Sequence, residues 1–131
     1  ANHVAFFDQR SRILFTGDTL YPGRITVRNV QAFSESVRRL ADFAREVKPS
    51  CILGAHVEKD AKGQDYLPCA FEHPNERALE LDVETLFDLE AVVVGNPRLV
   101  GHIMRPAFTI ERIRSEQPVG VPRGSVAGDD R

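Results

Sequence analysis

The chain has no tryptophan, one methionine and two cysteines in 131 residues. Two cysteines cannot build a disulfide framework, so a small disulfide-stapled scaffold is excluded. Cys51 lies in an apolar run and reads as a small buried hydrophobe, and a reducing, cytoplasmic compartment is the expectation. No apolar run approaches the ~20 residues needed to cross a membrane as a helix. There is no excess of charge of one sign. The net charge is −2, and no basic stripe interleaves with aromatics, which argues against nucleic acid as a partner. No glycine-rich phosphate loop follows a strand pattern, so a nucleotide-binding domain has little support.

What is present is an ordinary globular balance of 42% apolar and 27% charged residues, enough for one domain or part of one. His3–Phe7 and Arg12–Thr16 are short runs of strand formers separated by the turn-like Asp8-Gln9-Arg10-Ser11, which predicts a β-hairpin with one buried face. Arg24–Arg28 reads as a brief extended piece. Val30, Phe33, Val37, Leu40, Ala44 and Val47 recur at steps of three and four, predicting a helix capped by Asn29 and stopped by Pro49. Its charged residues, Arg45 among them, read as a solvated face. Cys51–Ala55 is too short and apolar for a helix and suits a strand buried on both faces. A polar stretch from His56 to Glu76 follows, then a helix over Val83–Val94 and a strand over Phe108–Ile113. This order predicts an α/β fold over residues 1–116, and the Gly-, Pro- and Ser-rich residues 117–131 read as a flexible tail.

Asp18 follows a strand at a glycine, and His56 follows the run Ile52-Leu53-Gly54-Ala55. Loops beyond the carboxyl ends of strands in α/β sheets hold ligands, so these two residues, 38 positions apart, have a route to one sheet edge. A carboxylate and a neutral imidazole are suitable donors for zinc, iron or manganese. On chemistry alone, though, Gly-Asp is ordinarily a turn and a lone histidine ordinarily a hydrogen-bonded residue. Tyr21 and Arg24 follow Asp18 closely enough to line a substrate entrance, or to be plain turn residues. His73, in Glu72-His73-Pro74-Asn75-Glu76, is a further pocket candidate. Glu58, Lys59, Asp60 and Lys62 alternate in sign and read as a solvated charge run. His102 reads as structural, and Cys69 lacks a base partner nearby in sequence.

The segment Arg12-Ile13-Leu14-Phe15-Thr16-Gly17-Asp18-Thr19-Leu20 resembles the metallo-β-lactamase superfamily segment whose aspartate bridges two metals. Ile52-Leu53-Gly54-Ala55-His56 is similar to the segment supplying that family's last metal-binding histidine, and Asn2–Asp8 to the strand after its middle histidine motif. The resemblance spans roughly residues 2–80 and is to the glyoxalase II-like branch. It implies the C-terminal half of an αββα sandwich and a metal-dependent hydrolase acting on the ester, thioester, lactone or amide of a small-molecule substrate. Asp18 and His56 would be metal ligands, with two zinc sites (iron or manganese being alternatives) in the intact enzyme. His3 matches a non-ligating position. The family's His-x-His-x-Asp-His motif is absent, and its middle histidine would lie before Ala1. The resemblance therefore implies a missing N-terminal half, an incomplete or empty metal centre, and little activity in this chain alone. The alternative is a non-catalytic half-domain that forms a homodimer or complements a partner through an exposed sheet face.

Overall fold

A computed structural model describes residues 4–113. Within them the chain folds as mixed α/β, with two helices and two mixed sheets. The expected hairpin forms from β1 (Phe6–Asp8) and β2 (Ile13–Gly17), an antiparallel pair. The first strand starts later than the sequence suggests and takes in Asp8. His3 and the tail over 117–131 lie outside the described residues.

After β3 (Arg24–Val27) comes α1 (Val30–Val47), whose bounds match the apolar spacing. The Asn29 side chain accepts from the Ala32 N–H at 3.0 Å, satisfying one of the amides that a helix start leaves unpaired. At the other end Lys48 adopts a left-handed conformation (φ 50°) and donates its N–H to the Ala44 carbonyl, so the helix closes one residue before Pro49. β4 (Cys51–Gly54) then runs parallel to β2, and β5 (Glu80–Leu81) completes a sheet in the order β1-β2-β4-β5. Helix α2 (Val83–Gly95) is capped by Asp82, and β6 (His102–Met104) and β7 (Thr109–Arg112) join β3 in a second sheet, ordered β3-β7-β6.

Register separates the two faces of the first sheet. Phe7, Leu14, Ile52 and Leu81 align in one row across its four strands, and all belong to or pack against the core. That core also takes Val37, Ala41 and Ala44 from α1 and Leu86, Leu89, Val92 and Val93 from α2. The opposite row is Phe6, Phe15, Leu53 and Glu80, with Phe6 67% and Phe15 40% exposed. Period-2 alternation therefore puts one apolar row inside and another in contact with solvent. This corrects the expectation that β4 is buried on both faces: Ile52 is fully buried, while Cys51, Leu53 and Gly54 are only partly so. Arg45 lies on the expected solvated helix face, its side chain 47% exposed, and from there bonds both carboxylate oxygens of Glu90 at 2.6 and 3.1 Å, tying α1 to α2. No helix among the described residues is long and apolar enough to cross a membrane.

Candidate functional site

Asp18 and His56 emerge from the carboxyl ends of neighbouring parallel strands. Gly17 pairs with Gly54 in the β2–β4 register, after an irregularity between Phe15 and Gly17. Gly17 has φ +56°, a left-handed conformation that turns the chain out of the sheet at low cost only for glycine. The turn is closed by the Thr19 N–H on the Thr16 carbonyl and by the buried Thr16 hydroxyl on the Leu20 carbonyl. The Ala55 N–H donates back to the Gly17 carbonyl at 3.0 Å, which fixes the two strand ends relative to each other. As a result His56 Nε2 lies 3.1 Å from Asp18 Oδ1. The two residues that the sequence singled out as possible ligands thus meet, half-exposed, at one sheet edge.

A cavity of about 210 Å³ is lined by Asp18, Thr19, Tyr21, Thr26, Phe33 and His56. Tyr21 is 6% exposed, and its ring stacks on the His56 imidazole at 4.2 Å between centroids and 17° between planes. Its hydroxyl donates to the Arg24 carbonyl. Burial, reinforced by the Glu58 carboxylate, pushes the Tyr21 phenol well above its ordinary range, so it stays neutral and acts here as a packed ring. Two glycines make room for it. A Cβ on Gly54 would sit 2.3 Å from Tyr21 Cβ, and one on Gly23 would sit 2.6 Å from Tyr21 Cε2.

The structure leaves the other two pocket candidates outside the lining of this cavity. The Arg24 guanidinium pairs with Glu58 at 3.4 Å and donates to the Tyr66 carbonyl at 2.6 Å. His73 stacks on Tyr66 at 4.2 Å and pairs with Glu76 at 3.0 Å. Both brace the loop that follows His56.

That loop corrects the solvated charge run at Lys59 and Glu58, while Lys62 is exposed as expected. Lys59 is 0% exposed. Its Nζ donates to the Gly63 carbonyl at 3.0 Å and lies 2.9 Å from Asp65 Oδ1, while Asp65 Oδ2 accepts from the Thr109 hydroxyl. Oδ1 has no other partner and is poorly aligned for a hydrogen bond, so the contact is chiefly ionic. Glu58 is likewise drawn inward, with Oε1 3.6 Å from His56 Nδ1. Here the chain folds back in isolated bridges, Lys59 with Asp65 and Asp60 with Glu76.

Carboxylate and imidazole are donor types that can ligate a metal ion. Asp18 and His56 bring one carboxylate and one imidazole within contact of each other. They do not complete a site: no group of three or more His, Cys, Asp or Glu residues among the described ones is arranged to hold an ion. A four-coordinate zinc would be half satisfied. Compared with known protein families, curated proteins and solved structures, the chain gives no significant match.

Proposed function

We propose that this chain carries the Asp18/His56 side of the metal centre of a metallo-β-lactamase-like, metal-dependent hydrolase, as the C-terminal half of that αββα sandwich. The observation that carries this reading is the meeting of those two side chains at 3.1 Å beyond adjacent parallel strands, 38 residues apart in sequence. The remaining ligands come from residues other than those described, because two donors leave zinc under-coordinated. A bound metal in such enzymes lowers the pKa of a water and polarises the substrate carbonyl. The chain's own residues hold the ligands in place. The β2–β4 register sets the spacing of Asp18 and His56, Tyr21 fixes the imidazole plane, and the small cavity beside them admits a compact acyl group.

The test is calorimetric titration with Zn²⁺ of the wild-type chain, Asp18→Asn and His56→Ala, with ester and lactone hydrolysis assayed in parallel. At most weak binding, which both substitutions remove, with little turnover from the chain alone, is expected. Binding that survives both substitutions, or stoichiometric tight zinc with turnover by this chain alone, would rule the reading out. A second reading, self-association or complementation through the sheet, has support from the exposed Phe6–Phe15 row. Light scattering decides it: a monomer at all concentrations argues against it.

A further inference from the structure

We propose that the groove between α1 and the β1–β2 hairpin binds a long-chain carboxylate, its hydrocarbon tail lying along α1 and its head group at Arg28. Neither Asp18 nor His56 lines this groove, so the proposal stands apart from the metal-centre reading.

The groove has a volume of about 980 Å³, at the upper end of what small-molecule sites enclose. Its floor is apolar, with Phe7 and Leu14 from the hairpin, Val27 from β3, and Phe33, Leu40 and Phe43 from one face of α1. Leu14 and Val27 are buried, Phe7, Phe33 and Leu40 are half-buried, and Phe43 is 39% exposed. Apolar surface is thus gathered uncovered in one concavity rather than scattered. The two ends differ in character. At one, Phe7 and Phe43 meet edge to face with ring centroids 5.7 Å apart. At the other, where the chain enters α1, the wall is Thr19, Thr26 and Arg28. The helix from Val30 to Phe43 separates them by about 20 Å, the reach of a long chain.

Charge selects the head group. Arg28 and Arg39 both line the groove, and neither forms an ion pair among the described residues. Glu35 is the one carboxylate in the lining, and Gln31 donates to its Oε1 at 3.3 Å. A guanidinium offers a carboxylate two parallel N–H donors, and the Thr19 and Thr26 hydroxyls are further donors at the Arg28 end. A hydrocarbon chain brings no polar group into the apolar stretch. A peptide strand would bring an N–H and a C=O for each residue, which the phenyl and aliphatic side chains of the floor cannot bond.

The probe is dodecanoate, held below its micellar concentration and titrated into the full chain by calorimetry, with NMR shifts locating it. Saturable one-to-one binding, with shifts at Phe33, Leu40 and Phe43, is expected. Dodecanol has the same tail without the charge, and butanoate has the charge with little tail; each should bind at least roughly 10-fold more weakly. Arg28→Gln should weaken dodecanoate roughly 10-fold and leave dodecanol unchanged, a split that a misfolded variant would not give. Ser36→Trp, at an exposed position in the lining, should fill the groove and abolish binding of both. No saturation by dodecanoate in the wild type, or equal affinity for dodecanol or butanoate, overturns the proposal without any variant. Shifts centred on the Phe6–Phe15 row overturn it as well. Dimerisation that Ser36→Trp abolishes and dodecanoate leaves untouched would assign the groove to a second copy, and the proposal would fall.

Discussion

Replacing Lys59 by methionine isolates the buried ion pair that holds the loop behind His56. Methionine keeps the length of the side chain and removes the charge, so packing is nearly preserved. What is lost is the 2.9 Å contact to Asp65 Oδ1 and the 3.0 Å bond to the Gly63 carbonyl. Asp65 is then a carboxylate with an 11% exposed side chain whose Oδ1 has no partner. Breaking one side of a buried pair costs about 3–5 kcal/mol, because the orphaned charge is desolvated without compensation. Asp65→Asn in the same chain removes that charge and keeps an oxygen for the Thr109 hydroxyl, so the double variant should recover most of the loss. Urea denaturation of the four chains gives the cycle directly. A Lys59→Met cost under about 1 kcal/mol would mean that the pair is hydrated, and the argument from burial would fail.

Other substitutions probe the same framework. Gly54→Ala places a Cβ against the backbone of Leu20 and Tyr21 at 2.5 and 2.6 Å, so it should cost about 3 kcal/mol in urea denaturation; a neutral alanine would contradict the close approach. Asn29→Ala removes the α1 cap and should cost about 1 kcal/mol by the same assay, with Asn29→Asp retaining most of it. Both tyrosines have pKa values raised above the ordinary 10.0, each chiefly by burial. The folded chain thus holds the phenolic proton more tightly than the unfolded chain does. The Tyr21 contribution to stability is complete below about pH 10 and is lost as pH rises beyond it. Absorbance at alkaline pH should show Tyr21 ionising only as the chain unfolds; a tyrosine titrating at or below its ordinary value in the folded state would contradict this.

Local pattern carried most of the framework. The 3.6-residue spacing from Val30 to Val47 and the apolar run Cys51–Ala55 each depend on neighbours in sequence; the helix forms over those bounds and the strand ends one residue short, at Gly54. β5 and β6 were not legible, being two and three residues long, too short for a period to register. The meeting of Asp18 and His56 followed from their positions after strands, once those strands are adjacent and parallel. The supporting residues did not follow. Tyr21 reads as part of an entrance until its stack on His56 is seen, and Glu58 is hidden among alternating charges. Lys59 owes its burial to Asp65, whose other oxygen is held by Thr109, 44 positions further along, and no window of local sequence contains that triad.

The most direct test of the shared metal centre is a crystal of the chain grown with Zn²⁺ and measured at the zinc absorption edge. An anomalous peak about 2.0–2.2 Å from both an Asp18 carboxylate oxygen and His56 Nε2 is the predicted result. Zinc bound elsewhere, such as at His73 and Glu76, with Asp18 and His56 still bonded to each other, would contradict it.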